Sequence, residues 1–179
     1  MRKILNKYWI LILVAAVVIL LDQITKSIVR ANLPFAASWT PFDFIPIFRI
    51  VHWENTGAAF GMFQGGGVIF AILAVIVSII IIFYFPQIPE KYVIMRIAVA
   101  MQMGGAIGNL IDRIRFGPVL DFIAVGVFPV FNIADASITV GVAALLLAMW
   151  AEERKQKEPS RLSEDTNQGS SDPVIDDQA

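Results

Sequence analysis

Asp22, Lys26, Arg96, Asp112, Arg113, Asp121 and Asp135 all lie within or at the edge of long apolar stretches. Ionisable side chains are costly in such surroundings, so each is a candidate for function. Two carboxylates brought close together cannot both ionise easily, and they share a proton. One is then a base that can activate water. The other is an acid that can hydrogen-bond a peptide carbonyl and protonate the leaving amine. Such a pair hydrolyses an amide without metal, Cys or His. Composition leaves few other routes. With no cysteine there is no thiol nucleophile, thiolate metal site or disulfide, and a Ser-His-Asp triad would have to use the single histidine, His52. No cofactor and no metal are expected.

Each of these residues also has a purely structural reading. Asp22 and Lys26 are four apart in the favourable acid-first order, which reads as an ion pair on one helix face. Arg96 lies near the opposite end of its apolar stretch, where it can snorkel, and is assigned to orientation. Asn109 and Asp112 are three apart and share a helix face, as a network tying a helix end to its loops would require. Arg113 can hydrogen-bond a substrate carbonyl or a lipid head group. Asp121, in V-L-D-F-I, could be the polar residue of an alternating strand. Asn132 reads as a helix N-cap, which puts Asp135 at the third helical position, where a carboxylate suits the positive helix end. Spacing alone does not choose Asp121 and Asp135 over Asp112 or Asp22. In favour of the pair, both fall at the same membrane face, and side-by-side packing of the last two helices would let them meet.

The elements that must position these residues are membrane spans. The chain has 179 residues, 57% hydrophobic and 16% charged, with a mean hydropathy of +0.69. A soluble domain carries about 25% charged residues. The net charge of −1 is spread over segregated clusters, and no nucleic-acid partner is expected. Four stretches approach the roughly 20 apolar residues a spanning helix needs, at about 8–28, 67–85, 92–111 and 133–150. The first continues into Asp22, Lys26 and Arg30 with no small-residue cleavage site, which suits a retained helix better than a signal peptide. Gly104, Gly105, Ala106 and Gly108 would let another backbone approach the third helix closely. Arg2, Lys3, Lys7, Lys91, Arg154, Lys155, Lys157 and Arg161 outnumber the arginines of the other two loops, which places both termini in the cytoplasm.

Between the first two spans, P-I-F-R-I-V-H-W-E-N-T-G-A-A-F is rich in β-branched and aromatic residues and predicts one or two short strands. They would lie on the membrane surface with Trp39 and Trp53 at the interface. The expected fold is an all-α membrane protein with a small β-rich extracytoplasmic loop domain between helices 1 and 2. Residues 1–150 form the membrane domain, and the acidic, polar tail 151–179 reads as a disordered cytoplasmic segment.

Five blocks carry a resemblance: L-D-Q-I-T-K at 21–26, E-N-T-G-A-A-F-G at 54–61, G-G-A-I-G-N-L-I-D-R at 104–113, V-L-D-F-I at 119–123 and F-N-I-A-D at 131–135. In this order they resemble the lipoprotein signal peptidases, also called signal peptidase II, the membrane aspartyl proteases of bacteria. The resemblance covers roughly 8–150 and implies that Asp121 and Asp135 are the catalytic pair. It implies that Asn55, Gly57, Asn109, Arg113 and Asn132 line or shape the substrate site. Asp22, Lys26 and Asp112 match positions that look chiefly structural. The implied substrate is a prolipoprotein whose lipobox cysteine carries a diacylglyceryl group, cut on the N-terminal side of that cysteine. The implied setting is the bacterial cytoplasmic membrane, with a monomer among membrane lipids and the site near the extracytoplasmic face. Three details depart from the family pattern: Leu120 where a Val is frequent, Ala136 where a Ser is frequent, and a short stretch between Asp121 and Asp135. The short stretch leaves the outer wall of the site, and the choice among lipoproteins, open.

Two rival enzymes fit less well. A Ser-Lys peptidase would need Lys26 with Ser27 or Ser137, and the G-x-G-D motif of other intramembrane aspartyl proteases is absent. A small transporter subunit or scaffold would place its charges near mid-membrane rather than at one face.

Overall fold

The computed structural model describes residues 2–42, 47–57 and 63–168, with 2–6 and 156–168 described by their backbone alone. Its elements run α1 (Arg2–Asn32), β1 (Ser38–Trp39), β2 (Phe48–Asn55), α2 (Gly67–Tyr84), a 3-10 turn (Phe85–Gln87), α3 (Val93–Arg115), β3 (Val119–Val125) and α4 (Ile133–Gln168). Each of the four helices is long and apolar enough to cross a membrane. Ile72, Ile76, Ile79, Ile80 and Phe83 of α2 are all exposed, as suits a lipid-facing surface.

The third helix is the hub of the described helices. Arg96, Ala100, Gly104, Gly108 and Asp112 are all buried and recur every four residues, which lines them along one helix face. Small residues let the neighbours come close. A Cβ on Gly104 would sit 2.7 Å from Val18 Cβ of α1, and one on Gly108 would sit 2.8 Å from Asp22 Oδ2. A Cβ on Gly105 would collide with the backbone oxygen of Ala134 and lie 2.7 Å from Ile138 Cγ1, both in α4. Backbone cannot step aside as a flexible side chain can. Gly105→Ala is therefore expected to lower the unfolding free energy by about 1–3 kcal/mol, read by thermal or denaturant unfolding in detergent. The displaced residue, Ala134, directly precedes Asp135.

The sheet has the antiparallel order β1-β2-β3. The expected strand in the first loop is β2, and Trp39 and Trp53 are both exposed. The third strand comes from the segment between α3 and α4, and Trp53 pairs with Asp121 across the β2–β3 ladder. A break in register between Ile50 and Trp53 bends β2. Val119, Leu120, Asp121, Phe122 and Ala124 of β3 are buried, so the polar/apolar alternation that marks a surface strand is missing. Leu120 and Phe122 pack with Val29 of α1, which anchors the sheet to the membrane domain.

Two expectations need correction. Arg96 does not snorkel: it is 2% exposed. Its guanidinium donates to the carbonyls of Ile88 (3.2 Å) and Lys7, and lies 4.6 Å from the Phe85 ring centre. The carbonyl of Ile88, in the α2–α3 turn, and that of Lys7, in α1, supply the acceptors that water would have supplied. The fourth helix also does not stop at Trp150; it runs to Gln168, through E-E-R-K-Q-K, all good helix formers. Residues 169–179 of the expected tail lie outside the described residues. The chain divides into two compact units, Met1–Leu145 and Leu146–Ala179, and every candidate site residue belongs to the first.

Candidate active site

The C-terminal ends of α1 and α3, the strand β3 and the first turn of α4 supply the polar residues of one buried cluster. Asn132 caps α4: its Oδ1 accepts from the backbone N–H of Asp135 at 2.9 Å, and Asp135 Oδ2 accepts from the backbone N–H of Asn132 at 3.2 Å. This reciprocal arrangement is a capping box with Asn and Asp in the two roles. The predicted N-cap is therefore present, and it also fixes the orientation of Asp135.

Asp121 arrives from β3. Its Oδ1 accepts from Asn132 Nδ2 at 2.8 Å and its Oδ2 from Asn55 Nδ2 at 2.9 Å. The carbonyl end of Asn55 in turn accepts from Gly57 N at 2.9 Å. Asp135 Oδ1 accepts from Asn109 Nδ2 at 2.7 Å. Three amides thus hold the two carboxylates, and Asn132 touches both. Asp121 and Asp135 line a single cavity of about 390 Å³, together with Asn55, Gly57, Asn109 and Arg113. Its remaining wall includes Val119, Phe128, Pro129, Val130 and Val140, so a polar floor meets a largely apolar side.

Asp121 is 2% exposed. Burial pushes its carboxyl up to about 7, and the charge of Asp135 adds to the rise, while Asn55, Asn132 and Lys26 pull it down. An ordinary aspartyl group titrates near 4. Because the folded value is the raised one, Asp121 favours the fold most below about pH 4. That contribution is lost as pH rises through about 7.

Arg113 donates to the carbonyls of Asn109 (3.5 Å) and Gly57 (3.4 Å), and its guanidinium lies 5.4 Å from the Phe70 ring centre. Both hydrogen bonds are long. Arg113 has five N–H donors, so it retains donor capacity toward the cavity it lines.

Beneath the amides lies an ion cluster. Lys26 Nζ is 2.8 Å from Asp22 Oδ2 and 3.2 Å from Asp112 Oδ2, with all three side chains fully buried. Arg30 reaches the same Asp112 oxygen at 3.1 Å. Two carboxylates thus meet two cations, and the group is neutral when all are ionised. Each acid also grips the backbone beside a candidate catalytic residue. Asp112 Oδ2 accepts from Leu120 N at 3.1 Å and Asp22 Oδ1 from Ala134 N at 3.0 Å. Leu120 and Ala134 are the residues immediately before Asp121 and Asp135.

The ten residues that the resemblance implies for the site or its support therefore fall in this cluster or line its cavity, whereas Arg96 does not. Arg30 and Gln23 were missed as members. Gln23 Nε2 donates to Asp22 (3.1 Å), Gly108 O (3.1 Å) and Asp112 (3.3 Å). The i, i+4, i+8 spacing of Asp22, Lys26 and Arg30 was the signal for Arg30; nothing local marked Gln23. The rival constellations have no geometry. Ser27 Oγ donates to Gln23 O at 2.7 Å in its own helix, and Lys26 is already bound to two carboxylates. His52 meets Leu33 O at 2.7 Å and the edge of Phe35, and does not line the cavity.

The chain is similar to known proteins in sequence and in fold. The family model described as signal peptidase (SPase) II matches residues 14–151. Lipoprotein signal peptidases of Staphylococcus aureus strains JH9 and Newman are each 36% identical over 160 residues, covering 86% of this chain and 96% of the relative. A bacterial membrane enzyme solved by the in meso method at 2.3 Å resolution superposes with a TM-score of 0.76 at 33% identity, covering 83% of this chain and 92% of the other. A second, described in the same terms at 1.9 Å, gives a TM-score of 0.70 at 34% identity, covering 78% and 91%.

Proposed function

Because the chain belongs to the signal peptidase II family of bacterial membrane peptidases, we propose that it is an aspartyl endopeptidase acting on diacylglyceryl-modified prolipoproteins. It cuts on the N-terminal side of the lipid-bearing cysteine and releases the signal peptide. The observation that carries this reading is the meeting of Asp121 and Asp135 in one cavity with an apolar side wall.

In the reaction, one carboxylate takes a proton from water as the water attacks the scissile carbonyl. The protonated carboxyl hydrogen-bonds that carbonyl oxygen and then delivers a proton to the leaving amine. Arg113, with donors to spare, steadies the substrate backbone. Thr139 and Val140 extend the cavity lining one turn along α4 past Asp135. An apolar signal helix and a lipid can both approach such a wall sideways from the bilayer. The clusters of Lys and Arg near the chain ends support cytoplasmic termini, which puts the site near the extracytoplasmic face.

The test of substrate is a pair of precursors that differ only in the diacylglyceryl group. The lipid-free precursor should be cleaved at least about tenfold more slowly, since remote binding energy is what positions the scissile bond. Equal rates would show that the enzyme does not read the lipid. The pair must keep one proton to work, and Asp121 surrenders its own near pH 7. The cleavage rate should therefore fall as pH rises through about 7, measured on folded enzyme in one detergent across the range. A rate still climbing well above that pH would contradict the shared proton.

A further inference from the structure

The three amides do not treat the two aspartates alike. Asn132 and Asn55 point their NH2 groups at Asp121 because backbone N–H groups occupy their carbonyl ends. Asn109 differs, since its carbonyl end is held by a cation. Asn109 Oδ1 accepts from Lys26 Nζ at 3.0 Å and from Asn132 Nδ2 at 3.1 Å. An ammonium offers donors only. Turning the amide over would set its NH2 against Lys26 and the NH2 of Asn132, two donor-to-donor contacts in a buried site. The remaining arrangement aims Nδ2 at Asp135 Oδ1 at 2.7 Å. Lys26 has no freedom to relax this, because its three donors meet Asp22, Asp112 and Asn109.

On the aspartyl-protease reading above, we infer that Lys26 is a positioning residue of the reaction. By fixing the carbonyl end of Asn109 it turns that amide onto Asp135, and so makes Asp135 the member of the pair that stays a carboxylate and receives the proton of water.

The other surroundings of Asp135 agree. It sits at the third position of α4, where the helix end favours negative charge. The charged groups that face it are Lys26 and Asp22 from α1, Asp121 from β3 and Arg113 from α3. Asp121 then carries the resting proton and serves as the acid.

Deleting Lys26 alone would strand buried carboxylates, so the test removes a matched pair. Lys26→Met with Asp22→Asn removes the donor to Asn109 but leaves Arg30 paired with Asp112, and an Asn at 22 can still accept from Ala134 N. The folded double variant should lose about tenfold or more in kcat while KM changes by less than about twofold. The low-pH limb of its kcat profile should move upward. A folded double variant with wild-type kcat and an unmoved limb would overturn the proposal. Infrared difference spectra give a second reading that does not depend on this variant folding. At about pH 5, above the ordinary aspartate range, the C=O stretch of a protonated carboxyl should be missing from Asp121→Asn and present in Asp135→Asn. The reverse pattern would put the resting proton on Asp135 and overturn the assignment. Loss of all cleavage in both single aspartate variants, with the infrared pattern reversed, would leave the protease reading intact and remove only the role given to Lys26.

Discussion

Lys26→Met should destabilise the protein more than any other single change at the site, by about 3–5 kcal/mol, because it breaks a buried ion cluster and leaves charge uncompensated. Lys26 is the contact that Asp22 and Asp112 share. Without it, Asp112 keeps Arg30, whose side chain is 22% exposed, and the fully buried Asp22 loses its cation. The loss should appear as a drop in thermal midpoint and in folded yield from detergent. Adding Asp22→Asn to Lys26→Met should recover most of that drop, since it removes the stranded charge. A double-mutant cycle measures the coupling directly. Additive losses would mean that the two side chains do not act as a pair. The cluster also holds Leu120 N and Ala134 N, so loosening it displaces the backbone beside both Asp121 and Asp135.

The largest effect on catalysis is expected from Asp121→Asn and Asp135→Asn, each lowering the cleavage rate by about three orders of magnitude. Asn keeps the size of Asp and removes its proton chemistry, so the two variants separate chemistry from packing. Above pH 7, Asp121→Asn should stay within about 1–3 kcal/mol of the parent, because it removes an ionised buried carboxyl but sets its NH2 against that of Asn55 or Asn132. The parent carries at that position a buried carboxyl whose raised value works against the fold once it ionises. The variant has no such group. Asp135→Asn keeps an acceptor for Asn132 N but can lose the charge-assisted contact with Asn109 Nδ2, a change of roughly 1–3 kcal/mol. Both proteins should therefore remain folded while inactive.

The membrane architecture was legible because lipid imposes a simple rule on backbone polar groups, and four long apolar runs obey it. The glycines of α3 were legible for a similar reason, and Gly104, Gly105 and Gly108 do face backbone or side chains of α1 and α4. The cap formed by Asn132 and Asp135 followed from local spacing. Local patterns could not reveal that β3 joins the sheet of the first loop, because that pairing links residues about 70 apart in the sequence. They could not place Asn55 against Asp121 for the same reason. Arg96 was misjudged because its acceptors, Lys7 O and Ile88 O, come from parts of the chain that only the fold brings to it. Spacing left Asp22 and Asp112 as competitors of Asp121 and Asp135. The structure separates them by surroundings: Asp22 and Asp112 are consumed by cations, whereas Asp121 and Asp135 are held by neutral amides and line a cavity.

The most direct test of the catalytic pair is mass spectrometry of the products from a purified diacylglyceryl precursor incubated in ¹⁸O-water with parent, Asp121→Asn and Asp135→Asn enzyme, each verified as folded. The parent should release a signal peptide ending just before the modified cysteine, with one ¹⁸O in its new carboxylate, and neither variant should release it. Release of the same peptide at the parent rate by either folded variant would contradict the assignment of Asp121 and Asp135 as the groups that cut.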